Sequence, residues 1–173
     1  MGNTVPHFTN QYSLFVAGEL IDGHTQVTLP SLQAVTQEIK GAGIHGSMNV
    51  PVRGHFQPYQ VTITFRAPVD NITKLLEQDY KDFELWAATQ TGDKASGEIQ
   101  AKQQKVIIRG VPTNINLGTF SPGEIQNIEI TFEDCYLKWV YDGKDILELD
   151  KFNGVYKVND VDLTSQIRAA IDI

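Results

Sequence analysis

Cysteine occurs once in the chain, at Cys135, so no intrachain disulfide framework can hold the fold together. A lone thiol among strand-forming residues reads as a small buried hydrophobe, with a reactive thiol as the other reading. Long apolar runs are missing: none approaches the ~20 residues that span a bilayer. Met1 to Thr9 is polar, holds no basic cluster and leads into no long apolar stretch, so no secretory leader is expected. Positive charge is scarce, with 14 Lys and Arg against 21 Asp and Glu, a formal net charge of −7. An acidic surface repels phosphate backbones, which argues against a stable grip on DNA or RNA. It is compatible with a wall past which nucleic acid moves without sticking, and equally with a simple solubility device.

Motifs for chemistry are lacking too. Gly41, Gly43 and Gly46 have the spacing of a dinucleotide-binding glycine loop. However, Ser47-Met48-Asn49-Val50-Pro51 follows, where that site needs a helix start aiming its amides at a pyrophosphate. A strained nucleophile turn needs Gly-x-Ser-x-Gly, and Gly46-Ser47 lacks the second glycine. His7, His24, His45 and His55 share no helical spacing with one another or with a carboxylate, although His45 and His55 flank the glycine-rich stretch. In Glu133-Asp134 adjacent strand residues face opposite ways, and neither that pair nor Glu148 with Asp150 belongs to an EF-hand loop. Asn71-Ile72-Thr73 fits the glycosylation pattern, but without a leader it reads as part of a helix start. The expectation is a non-enzyme with no catalytic residue, no metal ligand, no cofactor and no small-molecule ligand.

What is present is β-structure. The chain has 173 residues, 41% hydrophobic and 20% charged, which suits one folded domain over 1–173. Tyr12 to Ala17 reads as a strand, Asp22-Gly23 as a tight hairpin turn, and His24 to Leu29 as the next strand, limited by Pro30. Gln60 to Ala67 alternates, with Val61, Ile63 and Phe65 facing one way. Val106 to Arg109 is a short strand interrupted by Gly110 and Pro112. From Glu124 to Tyr141 the apolar phase shifts between Ile128-Ile130-Phe132 and Leu137-Trp139-Tyr141, which predicts a bulge near Glu133-Asp134-Cys135. Asp142-Gly143 and Asn153-Gly154 then mark turns into Asp145 to Leu149 and Val155 to Val158. One helix is expected around Ile72, Leu75, Leu76, Asp79 and Tyr80, behind a cap at Asp70 or Asn71. A second is expected over Leu163 to Ala170, capped by Asp162, with Leu163, Ile167 and Ile171 on a stripe that must dock on something.

Two segments are longer than ordinary connections, Thr113 to Gly123 and Ile39 to Gly54. The second mixes glycines with Ile44, Met48 and Val50, apolar residues of little use to a solvated loop. It reads as an inter-subunit arm, loose in the free subunit and ordered against a neighbour. Its candidate contact residues are Lys40, Gly41, Gly43, Ile44, His45, Gly46, Met48, Val50 and Pro51.

Several stretches, taken in order, resemble the major tail tube protein family of contractile-tailed phages and R-type contractile bacteriocins (tailocins). These are Val27 to Gly54, Leu85 to Thr89, Val106 to Gly110, Gly118 to Glu124 and, most specifically, Tyr136 to Asp150 with Asn153-Gly154, Val158-Asn159 and Val161-Asp162. Asp160 departs from the pattern, standing where the family usually has glycine, and Gln90 to Gln104 matches poorly.

The resemblance implies a mainly β, antiparallel sandwich or barrel-like tail-tube fold. One α-helix would flank it, with a long extended arm and a short C-terminal helix. It implies homohexamer rings stacked into the inner tube of a contractile tail, a hollow conduit for DNA ejection or membrane puncture. Sheath, baseplate or tube-initiator and tail-terminator proteins would be partners. The location would be a virion or phage-tail-like particle assembled in the bacterial host cytoplasm. The alternatives are a tube protein of a type VI-like or other contractile injection system, and a monomeric β-sandwich binding module.

Overall fold

The computed structural model describes residues 4–172. Twelve strands and two short helices follow in the order β1 (Thr4–Val16), β2 (Glu19–Leu20), β3 (His24–Thr28), β4 (Ala34–Lys40), β5 (Ser47–Phe56), β6 (Gln60–Phe65), α1 (Ile72–Leu76), β7 (Lys81–Asp93), β8 (Ile99–Asn116), β9 (Ile128–Tyr141), β10 (Lys144–Asp150), β11 (Val155–Val158), β12 (Val161–Asp162) and α2 (Ser165–Ala170). All observed pairings are antiparallel, and the sheets do not close into a barrel.

The architecture turns on β8 and β9, which pair along nearly their whole length. On its other edge β9 has two neighbours in succession. Ile128 to Glu133 pairs with β6, and Tyr136 to Tyr141 pairs with β10. The changeover falls at the predicted bulge. Arg109 pairs with Tyr136 and Gly110 with Asp134, leaving Cys135 as the extra residue. Burial changes phase at the same place, because Asp134 and Cys135 are consecutive and both buried. An inserted residue bends the strand and sharpens its twist. One branch therefore continues as β7, β1 and β2 on one side and β10, β11 and β12 on the other, while the second branch carries β6 and β3.

The two branches share one apolar core. Leu14, Val16, Phe83 and Ile108 from the first meet Ile63, Phe65, Ile130 and Phe132 from the second. Phe83 and Phe132 touch edge-to-face at 4.5 Å between ring centroids, a geometry favoured by the ring quadrupoles. Leu75 of α1 is fully buried in the same cluster. The bend needs Gly110, because a Cβ there would lie 2.6 Å from Asp134 Oδ1 and 3.1 Å from the Glu133 carbonyl oxygen.

Several sequence expectations are corrected. Asp22-Gly23 does not join paired strands: β1 turns into β2 through Ala17-Gly18, and β3 crosses to pair with β6. Gly23 is left-handed at φ +82, so the turn chemistry is present and only the partner was misread. Gly110 and Pro112 interrupt nothing, since β8 runs through both with register shifts at each. The first helix covers only Ile72–Leu76, and its N-cap Asn71 makes no side-chain cap bond. The second begins after Thr164, and Asp162 caps the turn before it, accepting from Thr164 N at 2.9 Å and pairing with Arg168. Of the expected stripe Leu163 is half-buried, whereas Ile167 and Ile171 remain exposed. The stretch from residue 39 to 54 forms the outer part of a β4–β5 hairpin, a sheet of its own, with residues 41–46 as its turn.

Asp134 is 1% exposed, and neither of its carboxyl oxygens has a hydrogen-bond partner among the described residues. Burial, reinforced by Glu133 and partly offset by Lys151, pushes this carboxyl up to about 8. The folded chain thus holds a proton at neutral pH that the unfolded chain releases near pH ~4. The stability tied to that proton is complete below about pH 4 and is lost as pH rises through about 8. Asn cannot ionise. Thermal melts of D134N and the native chain, compared from about pH 5 to about pH 9, should therefore shift in favour of the variant by several degrees. At the β11–β12 turn Asn159 and Asp160 are both left-handed, at φ +49 and +63. Glycine relieves that geometry, so D160G should raise unfolding stability by about 0.5–1 kcal/mol in a denaturant titration.

Candidate functional site

One surface that the single chain leaves open is the β4–β5 hairpin. Its strands pair from Ala34 with Phe56 out to Lys40 with Ser47, and with no other strand. Gly41, Gly43 and Gly46 turn the tip, all with positive φ, and Ile44 N closes it by donating to the Gly41 carbonyl at 3.1 Å. A two-stranded ribbon is all edge, which is why Pro51 is tolerated in β5 opposite Thr36.

The hairpin is amphipathic. Ile39 lies opposite Met48 and Gln37 opposite Val50, so by the two-residue period these four share one face. Lys40, Ser47, Glu38 and Asn49 fall on the other. Met48 is 52% and Ile39 39% exposed, while Val50, nearer the root, is half-buried. From Ile39 to Arg53 the charged residues are Lys40 and Arg53, both basic, within a chain of net charge −7. Two links fix the root. Phe56 meets Tyr156 edge-to-face at 5.1 Å, and Gly54 (φ +80) passes so close to Thr164 that a Cβ would lie 2.5 Å from its Cγ2. Thr164 is buried and held in turn, its Oγ accepting from Tyr156 N at 3.1 Å and from Arg168 Nη1 at 2.9 Å.

Every residue expected on the arm therefore lies on this hairpin. Lys40 ends β4, and Gly41, Gly43, Ile44, His45 and Gly46 form the tip. Met48, Val50 and Pro51 line β5. His45 and His55 sit on the hairpin, and among the described residues no three His, Cys, Asp or Glu side chains gather as metal ligands.

Other surfaces escaped the sequence. The loop between β8 and β9 presents Phe120, 89% exposed, with Leu117 and Ile125 beside it. This loop is ordered by its own bonds: Gln126 Nε2 donates to the Leu117 carbonyl at 2.7 Å, and Thr119 N to the Gln126 carbonyl at 3.0 Å. At the β10–β11 turn Phe152 stacks edge-on with Tyr80 at 5.8 Å, and Asp150 fixes the turn by accepting from Phe152 N and Asn153 N. Composition signals turns in both places but not which aromatic will stand outward. The coreless face of the sheet carries cross-strand ion pairs: Arg109 with Asp82 at 2.6 Å, Lys105 with Glu84 at 3.1 Å, Lys138 with Asp145 at 2.6 Å and Lys157 with Glu148 at 3.2 Å. Exposed pairs of this kind contribute at most about 1 kcal/mol each, and their main effect is to leave few unmatched charges on that face.

The sequence matches the family described as phage tail tube protein FII over residues 6–171. The chain belongs to that family. It is 26% identical to the tail tube protein of Escherichia phage P2 over 179 residues, covering 98% of this chain and 99% of that one. In fold it is similar to a chain of the sheath–tube complex of an extracellular contractile injection system, PVC, in the extended state, with TM-score 0.54 and 14% identity over 75% of this chain and 88% of that one. It is likewise similar to a chain of the PVC sheath/tube terminator structure, with TM-score 0.54 and 16% identity over 76% and 94% of the two chains. Phe120 adds nothing to the core of the single subunit. F120S is expected to leave the stability of the dissociated subunit within about 0.5 kcal/mol, as read from its denaturation midpoint.

Proposed function

We propose that the chain is a purely structural subunit, folded as one unit over residues 1–173, and that six copies close into a ring. Stacked rings would form the inner tube of a contractile phage tail or phage-tail-like particle. The tube is a hollow conduit for DNA ejection or membrane puncture, within a sheath, started on a baseplate or tube initiator and ended by a tail terminator. The product belongs to the virion or particle and is assembled in the bacterial host cytoplasm. DNA, where a genome passes, moves through without stable binding, in keeping with a net charge of −7.

The observation that carries this reading is the hairpin that pairs only with itself and leaves Ile39 and Met48 exposed. A tube needs a contact that closes around its axis and another that repeats along it without closing, and both join unlike surfaces. Such obligate interfaces bury upwards of about 2,000 Å² over the two partners, and a projecting hairpin adds to the surface that one subunit brings to them. The arm supplies surface of that kind, and open strand edges supply unpaired backbone groups for a neighbour's sheet. The phage P2 relative supports the virion setting. The fold likeness to the PVC complexes favours, as a second reading, the tube of an injection system that carries no genome.

Negative-stain electron microscopy of the purified chain tests the proposal, with rings or tubes expected. A chain lacking Gly41 to Asn49 should stay folded by circular dichroism and fail to polymerise. Tubes from that deletion variant, or a full-length chain that remains monomeric at every concentration, would overturn the reading.

A further inference from the structure

Two unfinished apolar surfaces occur in this chain, and they fit one another. One is the hairpin stripe of Ile39, Met48 and Val50. The other is a trough on the body, made of two adjoining cavities of about 280 and 190 Å³ that share Leu29, Gln104 and Val106. Leu29 and Leu32 form one wall, and Leu137, Trp139 and Leu147 the other. No charged residue lines either cavity. Leu29 at the rim and Trp139 on the wall are 46% and 38% exposed, so the trough opens to solvent as the hairpin stripe does.

We propose that the apolar stripe of the arm seats in this trough on a neighbouring copy. The inference rests on the reading of the arm as an inter-subunit element and adds its acceptor. Size agrees, because each cavity takes one or two side chains and an extended strand sets them about 7 Å apart on one face. Chemistry agrees, because an uncharged trough penalises any charged occupant and the stripe has none. Charge selects the occupant. The hairpin carries Lys40 and Arg53 against a single acid, Glu38, so it is net basic, and it approaches a body whose balance is acidic. The other apolar projection, Leu117 to Ile125, has Glu124 as its single charged residue and is repelled by the same body. Stripe and trough are different surfaces, so one copy's arm engages the next copy's trough and the contact is heterologous, as both kinds of contact in a tube are.

Site-specific photo-crosslinking tests this. A benzophenone-bearing phenylalanine replaces Met48, and the variant is mixed with isotopically labelled native chain under tube-forming conditions. Crosslinks should join position 48 to residues 27–32 or 137–147 of the other isotopic copy. Crosslinks to a different region of the other copy overturn the acceptor while leaving the arm an inter-subunit element. Crosslinks confined to its own copy sink both. A second variant removes dependence on the probe. L29E should raise the concentration needed for polymerisation at least ten-fold, with the melting temperature of the free subunit unchanged. An L29E chain that polymerises like the native one overturns the trough alone, whereas failure of the Gly41 to Asn49 deletion to block tubes overturns the arm.

Discussion

One extra residue in one strand sets the layout of this molecule. Cys135 stands unpaired opposite the junction of Arg109 and Gly110, and β9 bends there. The bend lets a single strand edge serve β6 on one side of the bulge and β10 on the other. Without it the strands would extend as one flat sheet with a solvated face. With it, Phe83 and Phe132 come together and enclose a core. Steric demands follow. Gly110 has no room for a side chain, and Asp134 is trapped at the corner without partners, its carboxyl held protonated by burial. A small, weakly polar thiol suits the inserted position better than a larger or charged side chain, since Cys135 is buried and only donates weakly to the Arg109 carbonyl.

The core leaves a lopsided exterior. Exposed apolar residues stand on the hairpin (Ile39, Met48, Val52), on the loop of Leu117, Phe120 and Ile125 and at Phe152, and also at Phe8, Ile99, Val161 and Ile171 on the body. The charged sheet face contrasts with this, its lysines and arginine each matched by a carboxylate on a neighbouring strand.

Much of this was legible from residue order, and the failures have physical causes. The alternation of Val61, Ile63 and Phe65 gave β6, and the phase change at Glu133 to Cys135 gave the bulge, because a half-buried strand records its facing in its periodicity. Asp142-Gly143 gave the β9–β10 hairpin, both residues being left-handed as such a turn requires. Asp22-Gly23 misled, since a turn dipeptide reports that the chain reverses and says nothing of which strand it meets next. The outer halves of β7 and β8, with Thr89, Gln90, Gln103 and Gln104, carried no apolar rhythm and were invisible until their partners were in place. The arm residues were located, but their glycines masked the strands on either side, and the apolar stripe appeared only once Ile39 was seen opposite Met48. The trough is lined by segments far apart in the chain, so no local pattern could have disclosed it.

The isolation of the hairpin ladder also bears on how assembly is timed. Two strands bonded only to each other are marginal in water, whereas β8 and β9 are flanked on both sides. Backbone amides of the ribbon therefore exchange with solvent deuterium through local opening, long before those of the corner. If the proposed seating against a neighbour occurs, it would suppress that opening, and protection appearing between residues 34 and 56 would then serve as an internal clock for incorporation into the polymer.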